Sequence, residues 1–214
     1  MPLEAVEVLT ELHEQVGQTA EDAVDRRTRS TWLTSVIRGS QSLSAILSET
    51  MSHDDAFCFF TVGRQLERAD LTTRVLDVQQ RVLTRSAGGP LDPYLDICWF
   101  AALRSVSALQ AFRRTGAQGS ADATITFLLR DTKCPRTVEA CMIEASRWLL
   151  EIPGHEDAMA ACAATQTVLS EVEPVALVNG GLHDFVDVVQ RRIADVHGCI
   201  EASWFAPATV EVAG

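Results

Sequence analysis

Apolar side chains along this chain recur at intervals of three and four residues, the spacing of helices that turn one face toward a core. The longest regular series, termed the principal seam, consists of Phe59, Val62, Leu66, Ala69, Thr73, Leu76, Gln80 and Leu83. A second apolar stripe in the same segment consists of Leu71, Val75, Val78 and Val82. Together they predict one long helix over residues 54–85 that is covered on two sides and runs through the core.

The same spacing predicts helices over residues 3–16, 19–49, 92–114, 121–129, 135–151, 155–171 and 181–204. Gly39 and Ser40 mark a kink or break in the second of these, and residues 86–93 contain a GlyGlyPro turn. No short alternating run is bounded by AsnGly or AspGly turns, so strand signals are nearly absent. The fold class is therefore all-α, an antiparallel multi-helix bundle of about seven to nine helices in a single domain, residues 1–214.

Composition adds limits on function. The net charge of −11 repels phosphate backbones and anionic lipid, so neither a nucleic acid nor a membrane is an expected partner. No run of about 18 apolar residues is present, and the first residues carry acids where a signal peptide needs basic ones, which favours the cytoplasm. The six cysteines are scattered without a CxxC pair and no ExxH pair occurs, so we expect reduced thiols and no metal site.

The segment GRQLERADLTTRVLD concentrates charge within about four turns of the long helix. Its candidate site residues are Arg64, Glu67, Arg68, Asp70, Arg74 and Asp77. One interpretation is a set of local ion pairs, Arg64 with Glu67 and Asp70 with Arg74. The other notes that Arg64 and Arg68 lie near the second apolar stripe, where guanidinium groups need partners. Those partners are either acids on neighbouring helices or an anionic ligand, a carboxylate or a phosphate.

Two further arginines are lesser candidates for the same ligand. Arg104 lies within a predicted helix beside Trp99 and Phe100, and Arg136 follows Pro135 at a predicted helix N-terminus, whose free N–H groups suit anions. No nucleophile arrangement stands out, since Cys134 has no histidine near it in sequence, and no glycine loop matches a phosphate-binding motif. The chain is therefore not expected to be catalytic alone, and its catalytic residues are unknown.

Beyond its charges, FFTVGRQLERADLTTRVLD resembles the signature of the alpha-E family. The resemblance extends through AEDAVDRRTRSTW, ICWFAALRSVSALQAFRR, FLLRDTKCPRTVEAC and GLHDFVDVVQRRIADVHGCIEASWF, and so covers nearly the whole chain. It implies an all-helical domain that accompanies circularly permuted ATP-grasp ligases and transglutaminase-like proteases. ATP and Mg²⁺ would then be used by a partner ligase, with no cofactor bound directly by this chain.

The resemblance implies a helical subunit of an ATP-grasp-type amide or peptide ligase system that binds an anionic amino-acid or peptide intermediate, or the ligase itself. The alternative is a non-catalytic scaffold or protein-interaction domain whose arginines and acids form a structural network. Family members open with another copy of the motif, from which residues 1–18 differ. This difference leads to the hypothesis that a complementary alpha-E chain, or a second copy in a homo-oligomer, packs against the principal seam.

Overall fold

The computed structural model describes residues 1–86, 95–173 and 176–206, and within them the chain is all-α, as predicted, with no strand. The described ranges contain nine α-helices: α1 (Leu3–Gln18), α2 (Arg29–Thr50), α3 (Asp55–Ser86), α4 (Leu95–Ser105), α5 (Leu109–Arg114), α6 (Ala121–Arg130), α7 (Val138–Leu149), α8 (Glu156–Glu171) and α9 (Leu182–Ile200). A 3₁₀ turn, Ala20–Ala23, and two π-helical turns, Leu177–Gly181 and Glu201–Phe205, complete the secondary structure. The predicted GlyGlyPro turn falls on residues outside this description.

The chain divides into two compact units, Met1–Phe57 and Cys58–Gly214. The single domain expected from length stays a prediction, and each unit is described by itself. In the first unit, α1 and α2 form an antiparallel hairpin. The Trp32 indole donates to Thr19 Oγ1 over 2.8 Å, and Leu12 packs so closely on Gly39 that a Cβ there would lie 2.9 Å from Leu12 Cδ1.

Two parts of the prediction for residues 19–49 are wrong: the segment does not form one helix from its start, and it has no kink or break at Gly39 and Ser40. Helix α2 continues through Gly39, because the missing side chain there makes room for Leu12 of the opposing helix. The interruption lies earlier, where the Arg29 guanidinium donates to the carbonyls of Ala23 and Val24 over 2.7 and 2.6 Å. These bonds hold the chain in a turn ahead of α2.

In the second unit, α3 and α9 run antiparallel. The Phe59 ring meets the Trp204 ring edge to face at 5.3 Å, and Gln190 donates to Thr73 Oγ1 over 3.0 Å. Helix α8 packs along both α7 and α9. The largest side chains enclosed among these helices include Trp99, Phe112, Leu76, Leu128 and Met142.

The principal seam is confirmed as a packing surface, and it is covered within the chain. Val62, Leu66, Ala69, Thr73 and Leu76 are all buried. The hypothesis that a second chain packs on this seam is therefore wrong, because helices of the same unit already occupy it. The Leu83 side chain lies outside the described part.

The second stripe is not covered as predicted. Leu71 and Val78 are 56% and 60% exposed, and only Val75 is half-buried. They border an open groove of about 390 Å³ whose opposite wall is formed by Ala101 and Ser105 of α4. These side chains are short and leave Leu71 and Val78 largely exposed. The Val82 side chain lies outside the described part.

Two further boundaries differ from those expected. One helix was predicted over residues 92–114, but the described part, from Leu95 on, forms α4 and α5, since Ser107 has a left-handed φ of 59°. Helix α7 begins at Val138 rather than Pro135, because the Thr137 side chain caps it by accepting from the Ala140 N–H. Among the described helices, none is both long enough and apolar enough to cross a membrane.

Candidate anion-binding site

Arg64 and Arg68 lie on successive turns of α3 and share one face of the helix. Both are half-buried, and burial is the main cause that lowers the pKa of each guanidinium. The Cζ atom of Arg64 lies 5.3 Å from the centroid of the Phe60 ring, in a cation–π contact. The guanidinium groups of Arg64 and Arg68, which stay charged, are thus partly desolvated.

Arg136 reaches the same place from the loop between α6 and α7. Thr72, four residues beyond Arg68, donates from Oγ1 to the Arg136 carbonyl over 2.9 Å. Earlier in the loop, the Asp131 carboxylate accepts from the N–H groups of Lys133 and Cys134 over 2.9 and 2.7 Å. These bonds shape the loop and pin it to α3, which carries the other two arginines.

The three guanidinium groups act on one another. Arg136 lowers the pKa of both Arg64 and Arg68, and Arg64 further lowers the pKa of Arg68. Among the described residues, neither Arg68 nor Arg136 forms an ion pair with a carboxylate. Arg64, Arg68 and Arg136, here called the arginine cluster, therefore concentrate positive charge in a chain whose net charge is −11.

Glu144 of α7 belongs to this site, although the sequence did not single it out. Its charge raises the pKa of Arg64 against the effect of burial. The carboxylate is shared, however, since it accepts from the Trp148 indole over 2.8 Å and lies 3.7 Å from Arg147 Nη1. Glu144 therefore offsets part of the positive charge of the cluster while it also serves Trp148 and Arg147.

Cys141 also lies beside the arginine cluster. Burial raises the pKa of its thiol to about 11, while Arg68 and Arg136 act in the opposite direction. The thiol is consequently protonated near neutral pH and is unsuited to act as a nucleophile there. Cys141 therefore supplies no thiolate beside the arginine cluster near neutral pH.

The other predicted site residues fall elsewhere. Asp70 and Arg74 form the expected local ion pair, at 2.5 Å. Asp77 joins His183 of α9 at 2.8 Å and Arg81 at 3.0 Å.

Glu67 and Arg104 are exposed. The pKa of the Arg74 guanidinium is raised mainly by its hydrogen bond to Asp70, and Glu67 adds to the rise. Arg104 lies in the last turn of α4 and forms no ion pair with any described residue. Of the eight candidates, Arg64, Arg68 and Arg136 come together.

The described helices define an all-α protein, and the arginine cluster is a basic site on its longest described helix. In the described ranges, no group of His, Cys, Asp and Glu side chains could hold a metal. The chain belongs to the Alpha-E family, whose model matches residues 1–205 and is described as a predicted alpha-helical domain with a conserved ER motif. Glutamate is followed directly by arginine at one place in this chain, Glu67–Arg68. No curated protein and no solved structure gives a match.

Proposed function

We propose that the chain binds an anionic amino acid or peptide at the arginine cluster, as the helical subunit of an ATP-grasp-type amide or peptide ligase system. The observation that carries the proposal is the convergence of Arg64, Arg68 and Arg136 where Arg68 and Arg136 have no ion pair among the described residues. Partly desolvated like charges are unfavourable unless an opposite charge joins them. A bound carboxylate would offset both the burial and the mutual repulsion.

Arginine suits this ligand better than lysine would. Its planar guanidinium presents several N–H donors that match the two oxygens of a carboxylate, and it stays charged even when its pKa is lowered by burial. Arg64 and Arg68 approach from α3, and Arg136 approaches from the loop before α7. An anion between them would receive donors from separate parts of the fold.

Calorimetric titration with N-acetylglutamate tests the binding step. Arg68→Gln and Arg136→Gln should each lower the affinity at least about tenfold, since a hydrogen bond to a charged group contributes about 1.5–3 kcal/mol. Arg192→Gln is the matched control, because this arginine pairs at 3.5 Å with Asp195 on the exposed surface of α9. Equal affinity in all three variants and the unaltered chain would contradict a role for the arginine cluster.

The ligase partner rests on the family resemblance and needs its own experiment. ATP and Mg²⁺ would be bound by that partner, which would form the amide bond. Affinity purification of the chain from its native extract, with identification by mass spectrometry, should recover an ATP-grasp protein. If no such protein is recovered while N-acetylglutamate still binds, the ligase partner is wrong. The chain is then a self-contained binding domain.

The second candidate is a non-catalytic scaffold in which charged side chains only join helices. It is favoured by the contacts of Arg130, whose guanidinium donates to the carbonyls of Leu169, Ser170 and Val172 at the end of α8. The bond between Asp77 and His183 joins α3 to α9 in the same manner.

Arg64→Glu separates the two candidates. Under the binding proposal this charge reversal abolishes titration heat with N-acetylglutamate while the circular dichroism of the helices persists. Under the scaffold proposal the unaltered chain gives no titration heat, and the variant differs only in a lower free energy of unfolding.

A further inference from the structure

A second basic site lies next to the arginine cluster, in a cleft of about 410 Å³ between the end of α5 and the loop that follows α6. Arg114 and Lys133 line it, together with Thr115 and Thr132. Phe127 and Pro135 supply apolar surface in the same cleft. The cleft therefore combines cations, hydroxyl groups and apolar contacts.

The two cations of the cleft are available to a ligand. Arg114 and Lys133 are exposed, and neither forms an ion pair with any described residue. The acid in the lining is Asp131, whose Oδ1 atom already accepts from the N–H groups of Lys133 and Cys134. Its carboxylate shapes the loop and offsets only part of the positive charge.

The cleft adjoins the arginine cluster along the chain. Pro135 lines the cleft, and Arg136, the next residue, belongs to the cluster. Cys134 lines the same cleft, and both Arg136 and Arg114 lower the pKa of its buried thiol, against the larger effect of burial. Five cations thus belong to two neighbouring sites, Arg64, Arg68 and Arg136 to the arginine cluster and Arg114 and Lys133 to the cleft.

We infer that the ligand is an acidic oligopeptide, with one carboxylate in the arginine cluster and a second, on a later residue, between Arg114 and Lys133. This inference rests on the proposed function and names its substrate class. A peptide fits better than a phosphate chain because Phe127 and Pro135 offer apolar surface to the aliphatic part of a glutamyl side chain. A single amino acid would occupy only the arginine cluster.

The test compares tetraglutamate with N-acetylglutamate by calorimetric titration at about 0.15 M salt, where distant charges are screened. Tetraglutamate should bind the unaltered chain at least about tenfold more tightly. The double variant Arg114→Gln/Lys133→Gln should remove that advantage while leaving the affinity for N-acetylglutamate unchanged. Both replaced side chains are exposed, so circular dichroism should show the same helix content.

The charge-matched control is Arg113→Gln/Arg192→Gln, which removes two surface cations that do not line the cleft. It should keep the full affinity for tetraglutamate. Equal loss in the two double variants would overturn the second site in favour of long-range attraction, and no loss in either would also overturn it.

Failure of this inference is distinguishable from failure of the proposed function. If N-acetylglutamate binds and depends on Arg68 while tetraglutamate gains nothing, the arginine cluster stands and the second site is wrong. If neither compound binds, the proposed function itself is wrong. Tripolyphosphate that binds more tightly than tetraglutamate, and depends on Arg114 and Lys133, would overturn the peptide class.

Discussion

Thr72 donates a 2.9 Å hydrogen bond from its side chain to the backbone carbonyl of Arg136, which joins the middle of α3 to the loop before α7. Thr72 is almost fully buried, at 2% exposure. It lies one turn beyond Arg68, so the bond brings Arg136 to the arginines of α3. This hydrogen bond therefore joins two parts of the cluster that are distant along the chain.

Replacing Thr72 by valine tests this relationship, since valine has nearly the same shape but no hydroxyl. The free energy of unfolding should fall by about 1 kcal/mol, the net contribution of one hydrogen bond. The affinity for N-acetylglutamate should fall about three- to tenfold, because Arg136 is less well held. Urea unfolding and calorimetric titration measure the two effects.

Thr72→Ser is the matched control, because serine keeps the hydroxyl group and loses only the methyl group. It should retain more of the affinity than the valine variant. Full affinity in Thr72→Val would show that Arg136 is positioned without this bond.

Arg130 closes the end of α8, and its replacement should destabilise the second unit. Its Nε and Nη2 atoms donate to the carbonyls of Leu169 and Ser170 over 2.6 Å each, and Nη2 also donates to Val172. The final carbonyls of a helix lack partners within the helix, so a side chain that satisfies them stabilises its end. Arg130→Ala should lower the free energy of unfolding by about 2–3 kcal/mol in urea.

Arg130→Lys distinguishes the effect of the positive charge from the effect of the hydrogen bonds to the three carbonyls. A lysine keeps the charge, but its single ammonium group cannot bond all three carbonyls in the arrangement of the planar fork. It should recover less than half of the stability lost in the alanine variant. Full recovery would mean that the attraction of the helix end for a positive charge, and not the hydrogen bonds, stabilises α8.

Glu139 makes stability depend on pH in a predictable direction. Burial raises the pKa of its carboxyl above the ordinary value of 4.5, while its hydrogen bond to Gln166 and the charge of Arg130 oppose the rise. A raised folded-state pKa means that this group's stabilising contribution is full below the unfolded pKa and is lost as pH rises through the folded pKa. The ionised carboxylate is therefore unfavourable to the fold at neutral pH.

Glu139→Gln should accordingly be more stable than the unaltered chain at about pH 7.5, and this difference should shrink toward about pH 4. The glutamine oxygen can still accept the bond from Gln166, which lies 3.1 Å away in the unaltered chain. Urea unfolding across that range measures the difference, with the exposed Glu151→Gln as control. A difference that grows toward low pH would contradict the assigned direction.

Periodicity predicted the helices well where a single face decides their packing. Burial of the principal seam was predicted only from apolar positions that recur every three and four residues. Leu76, within this seam, is fully buried. The same rule misplaced the second stripe, because it cannot show whether another helix is present to cover Leu71 and Val78. Burial on a second side depends on how large the side chains of the neighbouring helix are.

The candidate site was predictable in part for the same reason. Arg64 and Arg68 were predicted as site residues because charged groups near an apolar stripe need partners. Their neighbours Arg136 and Glu144 come from other elements, brought close by the bond from Thr72 and by the packing of α7. Spacing along one helix carries no information about such contacts.

Ser107 decides whether residues 95–114 form one helix or two, and its substitution tests the difference between the sequence pattern and the structure. Its φ of 59° lies in the left-handed region, where a side chain is unfavourable by about 1–2 kcal/mol and glycine is not. Ser107→Gly should therefore raise the free energy of unfolding by up to about 1 kcal/mol, since the greater freedom of glycine in the unfolded chain offsets part of the gain.

Gln110→Gly provides the opposite expectation at an exposed position within α5, where glycine lowers helix stability by about 1 kcal/mol. Urea unfolding of the two variants should thus give changes of opposite sign. A loss of similar size in both would mean that Ser107 is helical and that one continuous helix spans the segment. A gain confined to Ser107→Gly would place the left-handed residue between α4 and α5, where the Ala108 N–H bonds the Leu103 carbonyl over 2.8 Å.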